Sequence, residues 1–343
     1  MAAFAPASEA RRRVRDGAAV IRPLVVGSGT AGRALGTALG MFPEDIEPPV
    51  RLERSAPLPE PESPERDLLV LANPHALHTP RLLEAAERGY RYSICEKPAA
   101  VDLRQVATLD GLSVETWICH GYRLLWGPRE LERVIRQGRF GRLLSIEGRY
   151  WQSSATRPGG GHSWKDDSSL AGEYDVLLDL ATHWADLMAF LAGSVSDETT
   201  AEIADKTRVR RWFVNSASEH RDTHAHVEMV FGDLLTLGSV SKTVHGAGNH
   251  LELHVIGQKA SASWSLSEPD RIVWGDREGY STRQRTAAVA PFRPPPFHGL
   301  GWMEGYARLV HEVVGRIRHD RSCEAPTLAE HLGVLRCLLG AVE

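Results

Sequence analysis

The chain has 343 residues, 42% hydrophobic and 24% charged, which exceeds one small core and fits a soluble globular protein of two ordinary domains. A formal net charge of −4 excludes a general nucleic-acid binder, and no apolar run approaches the ~20 residues that span a bilayer, so no membrane partner is expected. The four cysteines, at 95, 119, 323 and 337, form no Cys-x-x-Cys pair, and a reducing, cytoplasmic setting is expected.

In chain order, residues 1–20 read as an N-terminal extension, where Ser8-Glu9-Ala10 and the spacing of Ala10, Val14 and Ala18 suit a short helix over 8–18 and the wealth of Arg and Ala suits a disordered basic tail. Residues 21–26 predict a buried strand, after which Gly27-Ser28-Gly29-Thr30-Ala31-Gly32 opens a helix over 30–39. That strand–turn–helix context is what a dinucleotide-binding fingerprint requires. Gly27 allows the tight turn, Gly29 lets a diphosphate approach the backbone, and Gly32 admits close helix–strand packing. The helix N-terminus adds unpaired N–H groups. A second strand over 50–53 ends in Glu53, a candidate ribose ligand that favours NAD; Arg54 beside it would instead receive the 2′-phosphate of NADP. Prolines 57, 59, 61 and 64 rule out a helix over 55–66 and predict an extended path.

A buried strand over 67–72 leads into Asn73-Pro74-His75-Ala76-Leu77-His78, at the strand end where α/β sheets bind ligands. Asn73 and Pro74 are candidates for a nicotinamide pocket, and His78 for supporting its loop. Thr79-Pro80 predicts a helix start with Thr79 as N-cap, and Gly89 its end. The strand over 91–95 runs into Glu96-Lys97-Pro98, which sets an acid and an ammonium group beside the cofactor's reactive end. A helix over 102–109 and a strand over 114–118 complete a β/α alternation, which implies a parallel, doubly wound sheet over 21–122.

After Pro128 the pattern changes to an α+β domain over 123–343 built on a mostly antiparallel open sheet. A helix with Leu131, Val134 and Ile135 on one face ends at Gly138, and a long strand covers 143–151. In a strongly apolar helix over 176–191, Leu177, Leu180, Trp184, Leu187 and Leu191 form a core stripe. Asp179, His183 and Asp186 lie opposite, where the plain reading is a solvated face. Gly232-Asp233 predicts a hairpin turn, and Thr327-x-x-Glu330 a capping box for the last helix. Trp126 and Trp164 are predicted in loops facing substrate, and 152–170 and 291–296 as the most mobile segments. His220, His224 and His226 lie close together, but no carboxylate or cysteine completes a ligand set, so no metal is expected.

Ala72-Asn73-Pro74 with His75 and His78, Cys95-Glu96-Lys97-Pro98, Gly121-Tyr122 with Pro128, and Asp179-x-x-x-His183 resemble, in that order, the Gfo/Idh/MocA oxidoreductases from about residue 21 onward. The resemblance implies an N-terminal Rossmann domain and a C-terminal sheet that joins subunits into a homodimer or homotetramer. It implies NAD(P)-dependent hydride transfer at a hydroxyl or carbonyl carbon, commonly of a sugar or cyclitol. Lys97 is then the lysine of the Glu-Lys-Pro motif, with Asp179 and His183 as partners across the cleft. A histidine of intrinsic pKa near ~6.5 suits proton exchange, and a lysine can stabilise developing alkoxide charge. Tyr122, Arg123, Trp126, Trp164, Tyr174 and Asp175 are the substrate-side candidates.

Three departures from the family are legible. Residues 55–66 are proline-rich where a helix is usual, and Gly172-Glu173-Tyr174-Asp175 replaces a glycine-rich turn. Arg123-Leu124-Leu125-Trp126 replaces a polar stretch, which predicts a more apolar substrate wall and a modified sugar or specialised-metabolite intermediate. Two other readings compete. One is an imine or enamine reductase, with Lys97 or His183 protonating nitrogen. The other is an accessory protein that lost redox chemistry with its shortened cofactor lobe; the intact glycines, Lys97, Asp179 and His183 speak against it.

Overall fold

The computed structural model describes residues 20–341 apart from 157–163, 197–206, 216–221 and 287–300. The candidate helix over 8–18, His220 and the stretch 291–296 lie outside the described residues. The first unit is a five-stranded parallel sheet of β1 (Arg22–Val26), β2 (Val50–Leu52), β3 (Asp67–Leu71), β4 (Tyr92–Cys95) and β5 (Glu115–Ile118), in the order β2-β1-β3-β4-β5. Every residue of β3 is buried, because both faces of the sheet are covered. On one face α1 (Thr30–Gly40) sets Leu35 and Leu39 against Val25, Leu68, Val70 and Ile94. On the other, α2 (His78–Arg88) and α3 (Leu103–Leu109) set Leu82, Ala85 and Val106 against Leu69, Leu71 and Cys95.

Thr79 is not the N-cap of α2. A 3₁₀ turn at His75–Leu77 leads straight into the helix, and the Thr79 hydroxyl instead donates to the Ala99 carbonyl at 2.8 Å. Residues 55–66 hold no helix, as the prolines require. Their cover is a single side chain. Leu58, 1% exposed, enters the core beside Leu69, Leu71 and Leu82, and its N–H donates to Glu84 Oε1 at 2.8 Å.

The second unit is an eight-stranded sheet of β6 (Leu143–Gln152), β7 (Arg208–Asn215), β8 (Asp222–Phe231), β9 (Leu234–Ser241), β10 (Asn249–Gly257), β11 (Ala260–Ser265), β12 (Arg271–Asp276) and β13 (Gly279–Gln284). Its order is β13-β12-β11-β10-β6-β9-β8-β7, antiparallel except for the β6–β9 pair. Before it, α4 (Trp126–Arg136) starts at Trp126, which therefore opens a helix rather than sitting in a loop. Pro128 falls in the first turn, where a missing N–H costs nothing.

The apolar helix is split into a π turn, Leu177–Ala181, and α5 (Thr182–Ser196). It lies against the sheet because two paired glycines make room. A Cβ on Gly148 would come within 2.8 Å of the Trp184 indole nitrogen, and one on Gly238 within 2.5 Å of the same ring. Asp186, expected on a solvated face, is 1% exposed and bonds Arg123 instead.

The last two helices, α6 (Trp302–His319) and α7 (Leu328–Gly340), close both units together. Through Val310, Val313 and Val314, α6 returns to the core shared by α1 and the parallel sheet. Gly305 on α6 and Gly121 approach so closely that a Cβ on either would lie within 3.0 Å of the other's backbone. The Thr327–Glu330 capping box of α7 forms as predicted. Among the described residues no helix is long and apolar enough to cross a membrane.

Candidate active site

A cleft of about 960 Å³ runs from the carboxyl ends of the parallel strands to the edge of the large sheet. Its first half is lined by Gly27, Ser28, Gly29, Thr30 and Ala31, by Glu53 and Arg54 with Arg51, and by Asn73 and Pro74. Gly27 has φ +109°, and a Cβ there would sit 2.4 Å from the Ala72 carbonyl oxygen. A Cβ on Gly32 would sit 2.3 Å from the Gly27 oxygen, so this glycine packs behind the loop rather than in the cleft. Nothing lies within 4 Å of a Cβ built on Gly29, which leaves the loop open to a ligand. Both amide atoms of Asn73 are buried without a partner among the described residues, an arrangement that costs stability unless a ligand completes it. The cradle and the orphaned amide fit a dinucleotide. His78 stays out of the cleft: its ring nitrogens contact the carbonyls of Asn73 and Pro98, at 2.9 and 2.7 Å, and brace the loop. Burial lowers its pKa to about 4 despite both carbonyls, so the ring is neutral and donates to just one of them.

In the second half, Lys97 Nζ donates to Asp179 Oδ1 and to the Asp179 carbonyl, both at 2.6 Å. Asp179 Oδ2 accepts from Lys165 at 2.7 Å and faces Lys242 at 2.8 Å. Burial alone would raise the Asp179 pKa, but Lys242, Lys97 and Lys165 hold it well below the usual carboxylate range. Burial lowers Lys97 below the ordinary lysine value, and Asp179 opposes that shift. Glu96, raised by burial, accepts from the Tyr306 hydroxyl at 2.6 Å. His183, on the first turn of α5, contacts His120 through Nδ1 at 3.2 Å, and burial keeps the ring well below the usual imidazole pKa. Asp179 and His183 share the cleft although a π turn, not an α turn, separates them.

The far wall is polar. Tyr122 and Tyr150 share a hydroxyl–hydroxyl bond of 3.0 Å, while Tyr150 and Gln152 donate to Asn249 Oδ1 at 3.0 and 2.8 Å. Trp164 stands edge-on to His75 with ring centroids 4.7 Å apart. The apolar wall expected from residues 123–126 does not form, because those side chains turn into the core. Arg123 is buried on Glu330 at 2.6 Å and Asp186 at 3.3 Å, Leu124 and Leu125 are buried, and Trp126 packs on the core of the second unit. Tyr174 also leaves the cleft, its ring 4.9 Å from the Arg211 guanidinium. Asp175 stands one step behind, accepting from Lys242 at 2.5 Å.

The sequence reading missed Lys165, Lys242, His120, Tyr150, Gln152, Asn249, Trp302 and Tyr306. Gln152 and Asn249 are register partners at the ends of the central strands β6 and β10, a pairing visible only in the fold. The lysines lie in segments that carry no local mark.

The model of the GFO/IDH/MocA C-terminal domain matches residues 129–263. Levoglucosan dehydrogenase of Pseudarthrobacter phenanthrenivorans is 31% identical over 299 residues, 78% of this chain and 75% of that protein. A solved levoglucosan dehydrogenase in complex with NADH and levoglucosan superposes with TM-score 0.79 at 21% identity, covering 93% of this chain and 95% of that one. An inositol dehydrogenase homolog from Azotobacter vinelandii complexed with NAD+ superposes with TM-score 0.75 at 18% identity, covering 94% and 95%. The two superpositions carry the fold, and the 31% identity carries the kinship: this chain belongs to the GFO/IDH/MocA family of oxidoreductases.

Proposed function

We propose that this oxidoreductase moves a hydride between a nicotinamide dinucleotide, NAD in preference to NADP, and a hydroxyl or carbonyl carbon of a sugar, cyclitol or related polyhydroxylated intermediate. One observation carries the reading: the open glycine cradle and the buried Lys97–Asp179 pair lie in the same cleft. When bound, the nicotinamide supplies or removes the hydride. The protein's own work is proton handling and orientation. With two ammonium N–H groups held by Asp179, Lys97 has one left for the substrate oxygen. As a neutral amine it takes the hydroxyl proton during oxidation, and as an ammonium it returns that proton during reduction. Burial shifts the Lys97 pKa in the direction that favours the neutral form.

The wall of Tyr122, Tyr150, Gln152 and Asn249 matches a substrate carrying several hydroxyl groups, and Trp164 offers a flat face to a sugar ring. The name of the 31% identical relative, levoglucosan dehydrogenase, supports the sugar class. The outer face of the large sheet, with Arg149, Trp151, His250, Glu252 and His254 side by side on β6 and β10, is the proposed contact of a homodimer or homotetramer. Sedimentation showing a monomer at every concentration removes that assignment.

Cofactor choice is tested by titrating NADH and NADPH against nicotinamide fluorescence. Glu53 lines the ribose end beside Arg51 and Arg54, so Glu53→Ser should shift the ratio of dissociation constants toward NADPH by roughly 10-fold, about 1.4 kcal/mol. An unchanged ratio places the adenosine elsewhere. No saturable change with either nucleotide contradicts the proposed function itself.

A further inference from the structure

His183 ends a chain of three imidazoles from three separate segments. The Ala99 backbone N–H donates to His331 Nε2 at 3.1 Å, His331 Nδ1 meets His120 Nε2 at 2.8 Å, and His120 Nδ1 meets His183 Nδ1 at 3.2 Å. His331 and His120 are fully enclosed, and neither lines the cleft. The first link has only one possible sense, because an amide N–H donates and never accepts. His331 Nε2 is therefore bare and its proton sits on Nδ1. That proton goes to His120 Nε2, so His120 carries its own proton on Nδ1. This in turn occupies His183 Nδ1, and the one proton of a neutral His183 is left on Nε2. Among the described residues His183 Nε2 has no hydrogen-bond partner, and the ring lines the cleft.

Protonating His183 would break this arrangement. An imidazolium donates from Nδ1, so His120 would have to accept there and donate from Nε2 to His331. The His331 proton would then be driven onto Nε2, against the Ala99 N–H. Burial opposes charge at every ring in the same sense: His120 and His183 are held well below the usual imidazole pKa, and His331 falls to about 3. Lys97, His331 and Lys165 add to this for His183, and Asp179 opposes it.

We propose that His331 and His120 are positioning residues which lock His183 as a neutral Nε2–H donor to the reacting oxygen, so that Lys97 alone carries the proton. This rests on the dehydrogenase reading and assigns its acid–base roles. In oxidation the hydroxyl O–H bond breaks, its proton goes to Lys97 Nζ, the carbon's hydride leaves to the nicotinamide, and the C–O bond becomes C=O. His183 keeps its proton throughout and stabilises the negative charge that grows on oxygen.

Nitrogen-15 spectra of histidine-labelled full-length protein, assigned with His183→Gln, read the tautomer directly. The expected result is a protonated Nε2 and a bare Nδ1 on His183 at neutral pH. A His183 protonated on Nδ1, or on both nitrogens, overturns the proposal. Two variants extend the test. Gln at 331 can accept from Ala99 and donate to His120, whereas Leu can do neither. His331→Leu should release His183 into a mixture of tautomers. It should also lower kcat about 10-fold or more, with cofactor affinity unchanged, for NAD+ reduction with levoglucosan or myo-inositol as probes; His331→Gln should keep both properties near normal. Equal losses in the two variants would show a packing role only and overturn the positioning role. Should His331→Leu fail to fold, the spectra of the unaltered protein still decide. Failure to bind either nucleotide counts against the dehydrogenase reading, and the ring-nitrogen spectra are independent of it.

Discussion

Asp179 sits among three ammonium groups, those of Lys97, Lys165 and Lys242, and this sets the protonation of the site. Its carboxylate is one of the influences that raise the Lys97 pKa, against the larger lowering by burial. Asp179→Asn removes that support and leaves the cations to repel one another. In the oxidative direction Lys97 must be neutral to accept a proton, so the acidic limb of the rate–pH profile should move to lower pH in this variant. A profile of log kcat against pH checks it, and an unmoved limb would remove Lys97 from the proton transfer. At this scale Lys97 was legible because a Glu-Lys-Pro sequence ends a strand at the ligand-binding edge. Asp179 and His183 were legible only through the family resemblance, since their own spacing reads as a solvated helix face. Lys165 and Lys242 were not, since each reaches Asp179 from a segment whose local pattern is ordinary.

At the scale of elements, a parallel sheet buries both faces, and the usual way to cover one is a helix in each crossover. Residues 55–66 meet that requirement with Leu58 on an extended proline-rich segment. Leu58→Ala should cost about 2–5 kcal/mol of unfolding free energy, measured by urea denaturation, because the segment has no second apolar anchor of similar burial. A cost under about 1 kcal/mol would show that the segment is not the cover. The prolines made the missing helix legible, but not which side chain replaces it, since burial of one leucine depends on where the loop falls across the sheet. The same limit explains Arg123-Leu124-Leu125-Trp126. As a string it reads as an apolar wall; a 3₁₀ turn at Gly121–Leu124 and the start of α4 at Trp126 rotate it into the core. The split of the apolar helix was equally hidden, because a π turn leaves no mark in hydrophobic spacing.

For the whole molecule, buried ionisable groups decide how stability responds to acid. Burial lowers His75, His120 and His183 well below their ordinary value, His78 to about 4 and His331 to about 3. A histidine with a depressed folded pKa is neutral in both states above pH ~6.5; below that the unfolded chain takes up protons the folded chain refuses, so stability falls with pH. Glu96, raised by burial, and Asp186 and Asp222, raised by burial to about 7 and about 6, act in the opposite sense. Their contribution is greatest at low pH and is lost as pH rises through the folded pKa. Five histidines outweigh three carboxyl groups. Between about pH 6.5 and 4.5 the unfolding free energy should therefore drop, on the order of 1–3 kcal/mol per pH unit at the steepest. Urea titrations at several pH values measure the slope, and a flat or rising stability on acidification would show that the histidines are not neutral in the fold.

In the proposed function, one cleft joins a nicotinamide dinucleotide to a substrate hydroxyl through Lys97. The most direct test compares the unaltered protein with Lys97→Ala, following nicotinamide reduction across a panel of sugars and cyclitols that includes levoglucosan and myo-inositol, alongside cofactor titration. The expected result is turnover of at least one polyhydroxylated substrate, lowered by about 10²-fold or more in Lys97→Ala with the cofactor dissociation constant unchanged. Turnover that survives the loss of Lys97 would contradict it.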